Sequence, residues 1–446
     1  MRDIILLTIV ALFAPVALFR PVVGMLFFVW LGFFSPQSHT WGIARTLPLS
    51  QIVALATMAG LFLGKETKRF PVWRETILLL GLWVGFGFST LVALFPDRAN
   101  SELIYISKIL LMVFIATTLI NNASRLHLLV RIVALSLGIY GLKGGIFAFV
   151  SGGSYNVYGP DESFLAANNS IGLALVMNIP LLYYLLKTET ITWLRWLIKA
   201  MLLFSFPAVV CTYSRGAWLG LAMVTAMVFL KIRHKFLVVA AAGMAAIVIA
   251  SAVPQLLPHR LFSRYDQLVN YEEDDSAESR LWNWEFCKRV GLARPFTGGG
   301  FKFSDLETYA AYYPEFLQRW PGKEWTCHST WLSVLGEHGV PTFMLWISLM
   351  ASCLFSLRQL RRFGRTHPEM AWAEFYADSI QAALIAYMVI GTFLDAAYFD
   401  MFYYLVGMIV IAKEIIVTAS RTALSPSATP AVAGPVLSRP AMAMKK

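Results

Sequence analysis

The stretch that decides the fold is residues 328–355, HSTWLSVLGEHGVPTFMLWISLMASCLF. From Ser329 onward it is an apolar run, longer than the roughly 20 residues a helix needs to cross a bilayer. It follows the chain's one long polar segment, so His328 stands where water meets hydrocarbon. Read as one continuous helix at 3.6 residues per turn, the run brings Gly339 within about 20° of His328, three turns beneath it. Trp331, Leu332 and Leu335 fill the face between them. A histidine above a glycine that admits a close neighbour is placed to meet a substrate carried in the membrane. The bland alternative is an interfacial histidine that only packs.

Outward from this helix, further apolar runs of crossing length lie at roughly 48–64, 75–95, 102–121, 128–150, 167–186, 193–212, 215–231, 235–254, 375–394 and 400–419. With 58% hydrophobic and 14% charged residues among 446, and a mean hydropathy of +0.62, this apolar surface exceeds what a soluble core buries. The chain reads as an all-α integral membrane protein. A net charge of +11 would suggest nucleic acid in a soluble protein, but here the basic residues sit in short loops and report orientation, so no nucleic-acid partner is expected.

The basic clusters are Lys65, Lys68, Arg69 and Arg74; Arg125 with Arg131; Lys187, Arg195 and Lys199; Lys231, Arg233 and Lys235; and Arg358, Arg361, Arg362 and Arg365. They alternate with basic-poor connections near 96–101, 151–166 and 395–400, which puts the basic set in the cytoplasm and residues 255–328 outside it. The same parity makes residues 37–47 external. Residues 4–36, interrupted by Pro15 and by Arg20 and Pro21, then read as one crossing built of two broken half-spans, giving about twelve crossings. A full hairpin with an external N-terminus is the alternative. Arg2 and Asp3 make a weak signal-peptide start, so the segment reads as retained.

The chain thus divides into N-terminal spans (1–254), an external loop carrying short amphipathic helices (255–328), C-terminal spans (329–419) and a disordered cytoplasmic tail (420–446) rich in Ala, Pro and Ser. The four cysteines show no paired zinc spacing, and Cys287 and Cys327 fall outside the cytoplasm, where a disulfide is permitted.

Several residues could carry chemistry. Arg215, in the string TYSRGAWLG (212–220), sits at an external turn, where it either snorkels to a lipid phosphate or grips a pyrophosphate with its planar guanidinium. Arg280 opens SRLWNWEF (279–286), whose spacing suggests a short amphipathic helix at the membrane surface; Arg289 is a less favoured substitute. The acidic run Glu272, Glu273, Asp274 and Asp275 reads as a solvated lead-in to that helix rather than a metal site. Gly298 to Gly300 form a tight turn more readily than a phosphate cradle. Glu337 falls about 180° from His328 on a continuous helix, which leaves it out of the catalytic set, and His338 reads as a packing or accessory residue. Asp161, Asp395 and Asp400 are accessory candidates, and Lys108 and Lys143 either pair with buried acids or contact lipid.

His328, Ser329, nine residues, Gly339, two residues and Thr342 form a string similar to the motif of the O-antigen ligases. The Ser-Arg-Gly string at 214–216, Arg280 followed two residues later by Trp282, and Pro295 ahead of a Gly-rich turn extend the resemblance. The N-terminal third also looks like a subgroup called exosortase-associated O-glycosylation ligases. The resemblance implies a GT-C-like glycosyltransferase of the bacterial inner membrane with its active site facing the periplasm. Its substrates would be an undecaprenyl-pyrophosphate-linked glycan and lipid A core, met among membrane lipids, with no cofactor and no metal. His328 would be the general base, and Arg215 and Arg280 would stabilise the departing pyrophosphate, with inversion at the anomeric carbon. Polymerisation of lipid-linked repeats and glycan transfer to protein use the same donor chemistry. A transporter would instead show internal repeats and charges near the bilayer midplane.

Overall fold

The computed structural model describes residues 1–231 and 275–423. The expected span at 235–254, the acidic residues 272–274 and residues 424–446 of the tail lie outside the described residues. The described chain folds into helices and connecting turns: α1 (Arg2–Phe19), α2 (Pro21–Phe34), α3 (Leu49–Leu63), α4 (Arg74–Leu91), α5 (Pro96–Leu119), α6 (Ala123–Val150), α7 (Asn168–Thr188), α8 (Thr192–Val210), α9 (Arg215–Lys231), α10 (Asp275–Ala293), α11 (Leu306–Tyr312), α12 (Pro314–Arg319), α13 (Thr330–Thr366), α14 (Trp372–Gly391) and α15 (Asp400–Ala423). Among the described residues, seven are long and apolar enough to cross a membrane: α1, α5 to α8, α13 and α15. The protein is an all-α, multi-pass membrane protein.

Sequence sets several boundaries directly. Asn122 caps α6 by accepting from the Arg125 N–H (2.9 Å), and Pro96 and Pro314 occupy first-turn positions whose N–H would have no helical partner. At Arg20 and Pro21 the chain reverses rather than continuing through the membrane in two half-spans. Phe13 stacks on Phe27 (4.9 Å), Gly24 lies against Ala17, and Asp3 accepts from the Gly42 and Ala44 N–H groups (2.9 and 3.2 Å). The N-terminus therefore shares an end with residues 37–47, as in the hairpin alternative.

Loops that the charge pattern assigned to one side meet at one end of the bundle. Glu66 pairs with Arg125, Arg131 with Glu189, Trp73 with Glu414 and Arg365 with Glu374. At the other end Arg45 meets Glu162, Arg98 meets Asp305, and Leu94 N–H donates to Gly299 (2.9 Å). Lys108 and Lys143, open in the sequence reading, are exposed on their helices.

Helices α10 to α12 form a second small core at the latter end, where Phe286, Tyr309 and Phe316 stack (3.7 and 4.2 Å). A disulfide joins Cys287 on α10 to Cys327, closing a loop of sequence separation 40, which in the chain-entropy account stabilises by about 4 kcal/mol.

Candidate functional site

The helix that decided the fold is not continuous. Ser329 is its N-cap, so His328 lies outside it with φ +48°, and Gly339 breaks it with φ 73°, ψ −176°, followed by Pro341. The helical arithmetic relating His328 to Gly339 and Glu337 therefore does not hold. What approaches Gly339 is neither helix nor lipid but the 295–297 turn: a Cβ there would lie 2.5 Å from the Pro295 oxygen. Backbone groups freed by the break need partners at this depth. Val340 N–H donates to Pro295 (2.6 Å), while Gly336 and Glu337 accept from Gly299 and Gly300 (2.8 and 2.9 Å). Gly298 N–H donates to Arg294 (2.8 Å). The Gly-rich turn is thus a structural clamp, as the sequence favoured, with its amides committed to the chain.

His328 is half-buried, and two contacts tie its neighbourhood to the 392–399 connection between α14 and α15. Thr330 Oγ1 donates to Leu394 (2.8 Å) and accepts from the Ala396 N–H (3.1 Å). Arg280 lies seven residues before Cys287, two turns and within about 20° on the same face of α10. The disulfide to Cys327 therefore holds that face against His328. Burial, and after it the Arg280 guanidinium, keep His328 below the usual histidine value. Trp284, one turn beyond Arg280, packs on Phe393 (6.2 Å), and Gly216, next to Arg215, lies against the same Phe393. Arg215 opens α9 after a tight turn at Tyr213 (φ 54°), with Ser214 accepting from the Ala217 N–H (3.3 Å). The segments that carry His328, Arg215 and Arg280, distant in sequence, meet around residues 393–396 through Thr330, Gly216 and Trp284.

Residues 200–347 match the model of a family described as O-antigen ligase, and residues 1–190 match one described as a family of unknown function, DUF5935. The segment that carries the His328 motif is thus similar to the O-antigen ligases. No curated protein matches it.

The ligase segment contains His328, both arginines and the Gly-rich clamp, but not everything that surrounds them. Arg289 is engaged elsewhere, by Glu285 (3.3 Å), Glu315 (3.2 Å) and the face of Tyr313 (4.0 Å). His338 is fully buried against Phe86 and Phe301, bonded through Nδ1 to Ser89 Oγ (2.5 Å) and through Nε2 to the Tyr398 hydroxyl (2.6 Å). Tyr398 donates in turn to Glu337, whose Oε1 accepts the Lys302 N–H (2.8 Å), and the Lys302 ammonium meets Glu102. Glu337, Tyr398, Lys302 and Glu102 line one cavity with Asp395 and Cys327. Sequence reasoning held Asp395 as an accessory candidate, set Glu337 aside despite its place inside the motif, and passed over Tyr398, Lys302 and Glu102. Asp161 and Asp400 are not in that cavity wall, and among the described residues no group of three or more His, Cys, Asp or Glu could hold a metal ion.

Proposed function

We propose that the chain transfers a glycan from undecaprenyl pyrophosphate to a sugar hydroxyl of lipid A core, at the periplasmic face of the bacterial inner membrane. The observation that carries this reading is the stapling of Arg280 against His328 by the Cys287–Cys327 disulfide. A general base must be neutral to act, and the depressed histidine value keeps His328 so at neutral pH. His328 takes the proton of the acceptor hydroxyl, the oxygen forms its bond to the anomeric carbon, and the bond from that carbon to pyrophosphate breaks. The leaving pyrophosphate carries its charge to Arg280 and to Arg215, whose helix N-terminus adds further positive potential. One displacement inverts the anomeric centre. A disulfide belongs to an oxidising compartment, which supports the outward orientation of this end. A GT-C-like arrangement, with residues 1–254, opening on the α1–α2 hairpin, and 329–419 flanking the external loop 255–328 and a cytoplasmic tail at 420–446, completes the reading.

The test is transfer by purified protein from a defined lipid-linked glycan, offered lipid A core, a second lipid-linked glycan and an unfolded protein in parallel. Product on lipid A core, with inverted configuration and undiminished by EDTA, is expected. Product only on the second glycan or the protein would make the chain a polymerase or a protein glycosylation ligase. Activity lost on chelation and restored by magnesium would overturn the arginine mechanism. Cysteines introduced near residues 160 and 310 should react with impermeant reagents from outside and one near 364 should not.

A further inference from the structure

A cavity whose lining reaches Cys327, the residue before His328, measures about 530 Å³, within the range of about 300–1,000 Å³ that small-molecule sites occupy. Its wall runs from Cys327, next to the proposed base, to the outer ends of α5 and α13 and the 395–399 connection. The cations in that wall are already matched: Arg98 pairs with Asp305 (2.9 Å) and Lys302 with Glu102. The carboxylates of the 395–399 side are held mainly by neutral donors: Asp395 by the Ser333 hydroxyl and the Ala397 N–H, with the Lys302 ammonium farther off. Glu337 is 6% exposed and accepts from Lys302 N–H and Tyr398, two neutral donors. Asp395 is half-buried, and the part of it left open belongs to the cavity lining. Removal from water pushes its carboxyl above the usual carboxylate value. Trp325, Phe164 and Phe399 supply aromatic wall on the same space.

This chemistry disfavours pyrophosphate, because its charge would be brought against the adjoining Glu337 and Asp395 carboxyl groups in a low-dielectric pocket. It suits a sugar ring. Hydroxyls donate charge-assisted hydrogen bonds to carboxylate oxygens, and the apolar C–H faces of the ring pack on aromatic side chains. Charge thus divides the site, with the leaving group on the arginine side of His328 and a polyol on the carboxylate side. We infer that this cavity seats the acceptor sugar, that Asp395 is the specificity-determining residue that binds its hydroxyls, and that the pocket selects uncharged sugars over acidic ones. The inference rests on the transfer reading above, but binding can be read without donor or turnover.

The experiment is saturation-transfer NMR on the purified full-length protein with methyl glycosides of glucose, galactose and mannose and their uronic acid counterparts. At neutral pH at least one neutral glycoside should bind, and its uronic partner about tenfold more weakly, the worth of one charge-assisted hydrogen bond lost or one like charge added. Asp395→Asn, similar in volume, should weaken the neutral sugar about tenfold and abolish the discrimination, while Arg280→Lys should leave both intact. Uronic sugars binding as tightly as neutral ones to the unmodified protein, or no binding by any of them, overturns the inference whether or not Asp395→Asn folds. Sugar binding as expected with no transfer would instead count against the ligase reading.

Discussion

Helix α13 takes part in burying charge at both ends of the bundle, and the two burials are built differently. At the basic end Glu75 on α4 is 0% exposed and accepts from Ser352 and Ser356 of α13 (2.6 Å each) and from the Lys413 ammonium of α15 (2.7 Å). Trp73 covers Lys413 (4.7 Å). The two opposite charges match each other, two hydroxyls complete the carboxylate, and the contacts close around the pair. Roughly 33 Å along α13, from Ser352 back to Thr330 at 1.5 Å per residue, the arrangement reverses. There Glu337 and Asp395 face a cavity, the helix is broken at Gly339, and His328 holds a left-handed backbone angle that a histidine seldom adopts. Charge buried for architecture is mated and sealed; charge buried beside open volume and a strained backbone is available to a ligand.

The comparison breaks most readily at His328. His328→Ala should leave an inserted, folded protein with turnover reduced by about 10² to 10⁴, the usual contribution of a positioned base. His338→Ala should act differently, because it strands Ser89 and Tyr398 in the core: folded yield should fall, while turnover per folded molecule should fall less than for His328→Ala. Initial rates normalised to folded protein check both, and a reversed order would move the base to His338.

At the sealed end the effect should be on stability alone. Glu75→Gln leaves Lys413 buried without its counter-charge, which costs about 3–5 kcal/mol when such a pair is broken. Glu75→Gln combined with Lys413→Met should recover much of that loss. Thermal unfolding in detergent measures it, and turnover of the folded fraction should not change. A loss of turnover without loss of stability would mean that this end also takes part in the chemistry.

Smaller effects are expected from the arginines. Arg215→Lys and Arg280→Lys keep the charge but lose the planar fork, and each should weaken donor use about tenfold to a hundredfold, the range of a hydrogen bond to a charged group. Near wild-type values of kcat/KM for donor in both variants would indicate diffuse contact with lipid phosphate.

Much of the bundle was legible because a crossing helix announces itself locally, through a run of apolar residues and basic loop ends. The helix that carries Arg280 was legible from the amphipathic spacing of residues 279–286, and the turn at His328 from an abrupt change from polar to apolar sequence. Three features were not. The break at Gly339 depends on Pro295, Gly299 and Gly300, which offer the freed backbone its partners from more than thirty residues upstream. The reversal at Arg20 depends on Phe13 and Ala17 finding Phe27 and Gly24 beside them. The cavity draws Glu102, Lys302, Glu337 and Asp395 from four separate segments, and no local pattern marks that convergence. Glu337 was set aside by a helical projection that assumed His328 belonged to the helix, when its φ of +48° places it in the turn before.

The central claim is that the disulfide-held face of α10 and the turn at His328 form one electrostatic unit acting on one substrate. The pH dependence of kcat/KM for transfer tests it most directly. His328 must be unprotonated, and its value lies below that of an ordinary histidine, so the acid limb should fall at a pH below about 6.5. Arg280→Gln removes a nearby positive charge, making protonation easier, and should move that limb to higher pH by less than the burial contribution that remains. His328→Ala should remove the limb from whatever activity is left. An acid limb that stays in place in Arg280→Gln, or persists unchanged without the imidazole, would contradict the account.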